Sequence, residues 1–157
     1  MVTGRSQARA RARPHPANAR PLVSRLAMGF GGLFVVFGLL GFLPGVTNNV
    51  GAMTVAGPGS GAELLGAFQV SVLRNAVHLG FGVAGLLLGR TGRGARIYLL
   101  GGGAAYLGLW LAGLAIAPDS GANLMPLGRA DGWLHAVSGG GMLALGALGS
   151  RNGSSRR

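Results

Sequence analysis

Five polar side chains interrupt otherwise apolar stretches, and they are the residues whose types and spacing admit chemistry: Arg74, Asn75, His78, Asp131 and His135. Arg74 and His78 stand four residues apart, so on a helix they share a face. Asp131 and His135 repeat that spacing. A charged side chain deep in a bilayer costs about 2.5–3.5 kcal/mol even on the mildest scale. Arg74 therefore needs either the outer interface or a partner, and Asp131 is the attractive counter-ion. The two imidazoles can ligate haem iron or a metal, relay a proton, or simply hydrogen-bond. Glycines follow each of them on the same face, Gly82, Gly85 and Gly89 after His78 and Gly139 and Gly146 after His135. Small residues there leave room for a flat ring between the helices. The plainer account is a hydrogen bond across a bundle, with the glycines serving close packing.

Catalytic machinery is not legible beyond this cluster. The three acids, Glu63, Asp119 and Asp131, form no spaced carboxylate pair, and no nucleophile–base pair stands out. The absence of cysteine excludes disulfides, iron–sulfur clusters and thiolate zinc sites. The chain is expected to be a non-enzyme with no metal site and no cofactor. Haem or quinone held by His78 and His135 is the alternative.

The elements that position these residues are apolar helices. Charged residues make up only 11% of the chain, against about 25% in a soluble domain, too few to cover a water-facing surface. The expected fold is all-α, a four-helix transmembrane bundle over residues 26–149. Its spans are expected at about 26–43, 62–89, 97–117 and 132–149. The first follows a basic segment, as a signal peptide does, but about 18 apolar residues exceed a usual signal core of roughly 7–15, so a retained helix is expected. Pro44 and Gly45 end it. Ser60 and Glu63 have the spacing of a capping box, which predicts the start of the second helix. Pro118 closes the third, and Asp131 is expected to cap the fourth.

Charge placement gives the threading. All 14 basic residues are arginine, and 12 of them lie in the two tails or the loop Arg90–Arg96. All three acids fall in or beside the other two loops. This positive-inside pattern predicts a cell-membrane protein with both termini cytoplasmic. A net charge of +11 also suits a nucleic-acid binder, but the arginines flank hydrophobic runs, so no nucleic-acid partner is expected. The expected partners are the bilayer and either further copies of the chain or another membrane protein. The tails, residues 1–25 and 150–157, are too polar to pack, and the first is expected to be disordered.

The two halves resemble one another. Counting from His78 and from His135, the residues agree at plus four, plus eight, plus ten and plus eleven (Gly82 and Gly139, Leu86 and Leu143, Leu88 and Leu145, Gly89 and Gly146). That predicts two repeated helical hairpins related by an axis along the membrane normal.

Several stretches are similar to a known family: Gly41-Phe-Leu-Pro-Gly45, Ser60-Gly-Ala-Glu-Leu-Leu-Gly-Ala-Phe-Gln-Val70, Arg74-Asn-Ala-Val-His-Leu79, Gly82-Val-Ala-Gly85, Ala122-Asn-Leu-Met-Pro-Leu127 and Ala130-Asp-Gly-Trp-Leu-His135. Together they resemble a bacterial membrane family, domain-of-unknown-function family 4383, from Leu26 to Gly149. The resemblance implies a four-helix membrane protein with no established activity or cofactor. Arg74 stands where the family pattern suggests His, and Gly132 where it suggests Asn. The functional expectation is a structural or accessory membrane component. The redox component is one alternative, and a small oligomeric transporter or channel is the second.

Overall fold

The computed structural model describes residues 21–125 and 129–149, apart from the side chains of residues 129 and 130. Both expected tails lie almost wholly outside the described residues. The four helices are α1 (Leu22–Leu40), α2 (Val72–Leu88), α3 (Gly92–Ala115) and α4 (Arg129–Leu148). α1 and α3 are long and apolar enough to cross a membrane, and α2 is a shorter apolar helix of 17 residues.

Local chemistry sets the boundaries. Pro21 precedes α1, where its missing N–H is no loss, so the helix begins before Leu26. It ends at Leu40 rather than Leu43 because the chain turns at Gly41 and Phe42 ahead of Pro44. The Ser71 hydroxyl accepts from the Arg74 N–H at 3.2 Å and caps α2. The Thr91 hydroxyl accepts from the Gly94 N–H at 3.0 Å and starts α3 at Gly92, a turn and more before Ile97. Asp131 does not cap α4 from outside. It lies in the first turn, and its carboxylate is engaged elsewhere.

The expected second span, residues 62–89, is only partly helical. Residues before Ser71 form a small antiparallel sheet of β1 (Thr47–Asn48), β2 (Glu63–Leu64) and β3 (Phe68–Gln69), in that order. Two causes defeat the helix. Leu65 and Gly66 both adopt left-handed backbone angles, φ 55° and 66°, which reverse the chain between β2 and β3. The Ser60 hydroxyl, expected to cap a helix, instead donates to the Val70 carbonyl. Ser60, Ala62 and Leu64 point inward while Gly61, Glu63 and Leu65 point outward, the period-2 pattern of a strand. The sheet packs Ala62, Leu64 and Val70 against Phe37 and Leu40 at the end of α1.

The helices pair as α1 with α2 and α3 with α4, and glycine makes each pair close. A Cβ on Gly82 would lie 2.6 Å from the Val35 nitrogen and 2.7 Å from the Gly31 carbonyl oxygen. A Cβ on Gly139 would lie 2.9 Å from the Gly103 carbonyl oxygen, and one on Gly103 would lie 2.8 Å from that of Gly139. These are backbone neighbours that cannot step aside. The two hairpins then meet through Ala27, Phe34, Tyr98, Leu99, Tyr106 and Met142.

The repeat extends to the first helix of each hairpin. Advancing 57 residues takes Arg74, His78 and Gly82 to Asp131, His135 and Gly139, and advancing 72 takes Gly31 and Phe34 to Gly103 and Tyr106. Gly31 meets Gly82 as Gly103 meets Gly139, and Phe34 meets His78 as Tyr106 meets His135.

Replacing Gly82 or Gly139 by Ala should cost about 1–3 kcal/mol, because the added methyl meets backbone. Gly80 and Gly140 have nothing among the described residues within 4 Å of an added Cβ, so Ala there should be neutral or stabilising by up to about 1 kcal/mol. Thermal unfolding of the four variants in detergent checks the contrast.

Candidate functional site

Ser71 caps the first turn of α2 and thereby fixes the direction in which Arg74 leaves the helix. The Arg74 guanidinium reaches across to α4. Its Nη1 donates to Asp131 Oδ2 at 2.9 Å and to the Gln69 carbonyl oxygen at 2.7 Å. Its Nη2 donates to Asp131 Oδ1, completing a two-pronged ion pair. The Arg74 side chain is 10% exposed and that of Asp131 2%. Parallel paired hydrogen bonds of this kind are the strong form of an Arg–carboxylate contact. Gln69 is itself held, with its side-chain amide donating to the Pro58 carbonyl oxygen at 2.8 Å and to that of Ser60. One side chain, Arg74, therefore joins the sheet, α2 and α4.

The histidines lie one turn further into the bundle. His78 Nδ1 is 2.9 Å from the Arg74 carbonyl oxygen. A carbonyl can only accept, so in a neutral ring the proton sits on Nδ1 and Nε2 is an acceptor. His135 is buried, and it stands one turn after Asp131 as His78 stands after Arg74. The two rings are not stacked on each other. His78 meets Phe34 at 5.8 Å between ring centres, His135 meets Tyr106 at 5.0 Å, and Phe34 meets Tyr106 at 5.1 Å. An aromatic contact between α1 and α3 therefore links the two imidazoles.

Asn75 is 2% exposed. Its amide fills the space beside Gly41, where any Cβ would collide with it, and its Nδ2 points to the Met53 sulfur at 3.8 Å. That contact accounts for the small residue at the exit of α1. Asn75 still reaches the common cavity, as do Arg74, His78, Asp131 and His135. All five sequence-predicted residues thus line one space of about 210 Å³ between α1 and α4, roofed by Leu64, Phe68 and Val70 of the sheet region.

Sequence reasoning did not single out Phe34, Tyr106, Gln69 or Ser138. Phe34 and Tyr106 were recoverable, since each stands three residues after a glycine at matched places in the repeat. Gln69 acts through its backbone oxygen, which no residue type announces. Among the described residues, no group of three or more His, Cys, Asp or Glu side chains could hold a metal ion.

Residues 24–148 match the family model described as "Domain of unknown function (DUF4383)". The chain belongs to this family. No curated protein and no solved structure matches it.

A double-mutant cycle on Arg74→Ala and Asp131→Ala should reveal coupling. Each single change should cost about 3–5 kcal/mol, because it strands the other charge in a buried place. The double change should cost less than the sum by about 1–3 kcal/mol. Unfolding in detergent gives the four stabilities, and additive losses would contradict the ion pair.

Proposed function

We propose that this DUF4383 chain is an integral membrane protein that crosses the bilayer four times, with both termini in the cytoplasm, and serves as a structural or accessory membrane component. The observation that carries the reading is the outer surface of the helices. Leu33, Val36, Leu39, Val83, Leu111 and Val137 are all exposed and apolar, while the Arg74–Asp131 ion pair is turned inward. An apolar exterior of that extent is unfavourable in water and suited to lipid.

The ends of the helices support the direction of threading. A Cβ on Gly92 would lie 3.9 Å from Pro21 and one on Gly149 3.1 Å from Val23, so the start of α1, the start of α3 and the end of α4 are gathered at one end. Exposed Arg25, Arg90, Arg93 and Arg96 belong to that end. Glu63 and Asp119 belong to the opposite end. Basic residues on one side and acids on the other agree with the positive-inside rule. At about 1.5 Å per residue, α1 spans about 28 Å, near the roughly 30 Å of a hydrocarbon core.

Haem ligation is the less supported alternative. Each imidazole contacts the aromatic ring of the neighbouring helix rather than its counterpart. The cavity of about 210 Å³ is also smaller than the roughly 300–1,000 Å³ of sites that enclose whole drug-sized ligands, which favours the structural reading over a porphyrin site. The ion pair and ring contacts serve instead to dock one hairpin on the other.

Reporter fusions test the threading. Fusions after Gly92 and at the C-terminus should report cytoplasm, and fusions at Val50 and Gly121 should report the outside. A cytoplasmic signal from Val50 would be incompatible with four spans.

A further inference from the structure

Two cavities flank the ion pair, and the repeat relates them. The larger lies between α1 and α4 and the smaller, about 100 Å³, between α2 and α3. Much of their helical lining corresponds through the repeat. Leu33, Phe37 and Leu134 line the first where Ala105, Leu109 and Val77 line the second. The largest contrast between the matched walls is Ser138, which lines the α1–α4 cavity, against its repeat partner Phe81, which lines the α2–α3 one. Truncating a phenyl to a hydroxymethyl in one half leaves a space that the other half closes.

The larger cavity has a definite character. The sheet closes it toward the outer end through Leu64, Phe68 and Val70, and the Arg74–Asp131 pair and His135 form its polar depth. Its rim toward the side is Leu33, 50% exposed, and Leu134, 46% exposed. α1 and α4 scarcely touch each other. On the membrane reading given above, that rim faces lipid, so access is sideways from the bilayer.

We propose that the α1–α4 cavity binds an uncharged, lipid-soluble molecule through a flat head group that accepts hydrogen bonds. Charge decides against an anion. The guanidinium is matched by the Asp131 carboxylate at contact, so the cluster offers polarity without net charge. Hydrogen-bonding capacity decides against a bare hydrocarbon. His78, His135 and the hydroxyl-bearing Ser138 line the space beside the ion pair. Polar groups that line an apolar space carry a desolvation penalty that a complementary head group relieves. Phe34, Phe37 and Tyr106 supply flat apolar walls. The volume suits a single substituted ring, whose chain would leave between Leu33 and Leu134 into lipid. The competing occupant is water, of which the space admits about seven molecules at roughly 30 Å³ each.

The test uses the full chain in phosphatidylcholine nanodiscs, with decylubiquinone as the uncharged probe and laurate as the anionic one. Ligand retained after gel filtration is compared with protein-free discs. Wild type should retain saturable decylubiquinone, near one per chain, and no excess laurate. Ser138→Phe should weaken that retention at least tenfold. The fold already accepts Phe at the matching position 81, so this variant is expected to assemble. Val137→Phe, on the lipid-facing side at 71% exposure, should bind within twofold of wild type. Asp131→Asn removes the charge opposite Arg74 and should introduce laurate binding. No excess of quinone over empty discs, equal retention by Ser138→Phe and Val137→Phe, or a wild-type preference for laurate would each overturn the proposal. If Ser138→Phe is not recovered, the wild-type preference between the two probes decides alone. A chain that fails to enter the discs overturns the membrane reading as well. A chain that enters them without retaining quinone overturns only this inference.

Discussion

The buried ion pair between Arg74 and Asp131 constrains everything around it. Neither charge can remain alone in an apolar bundle, because the cost of an uncompensated buried charge exceeds what helix packing readily supplies. α2 and α4 must therefore present these residues at the same depth, and that fixes how far one hairpin slides along the other. The same guanidinium also binds the Gln69 carbonyl oxygen, so the register of the sheet follows from it too. In the repeat, Arg74 and Asp131 are one position with opposite charge. A position occupied by the same charge in both halves would repel itself, so opposite charges there are what let the two hairpins close on each other.

Glycine does the complementary work inside each hairpin. The Gly31–Gly82 and Gly103–Gly139 contacts bring backbones together closely enough that carbonyl oxygens sit where a side chain would start. On the membrane reading proposed above, burial of apolar surface gives helices little reason to associate, so close packing and polar contacts must do it. The high glycine content, 32 residues, is in part a record of these seams. Other glycines, Gly29, Gly80 and Gly108 among them, have open space around them. Glycine frequency alone thus overstates the contact surface: the Ala104–Gly108–Ala112 spacing suggests a packing stripe, yet Ala104 and Gly108 are exposed.

Departures from perfect repetition are where the molecule becomes specific. The first hairpin carries a three-stranded cap between its helices, and the described part of the second loop has no strand. A hydrogen bond of 2.7 Å from the Gly57 N–H to the Leu124 carbonyl oxygen ties the two loops together. The cap covers one cavity and Phe81 reduces its counterpart, so two nominally equal seams become one roomy space and one small one. Asn75 and Gly132 differ in the same way. The first needs Gly41 opposite it, and the second has only the Trp110 ring near its Cβ direction, at 3.7 Å.

The sequence by itself determined the four apolar helices, the segregation of arginines from acids, and the pairing of Arg74 with Asp131. Each follows from composition, charge placement or a matched spacing, which are properties of the chain before it folds. It also placed His78 and His135 at equivalent positions. It misplaced the start of α2, because the Ser60–Glu63 capping spacing and the inward alternation of Ser60, Ala62 and Leu64 compete locally. The contest is settled only when Ala62 and Leu64 find Phe37 and Leu40 to pack against, a contact between segments more than 20 residues apart. Tertiary structure alone decided that the two imidazoles are joined through Phe34 and Tyr106. It alone decided that a backbone oxygen of Gln69 shares Arg74, and that Ser138 rather than Phe81 borders the larger cavity. These depend on which faces meet, and no side-chain spacing along one helix encodes the rotation of another.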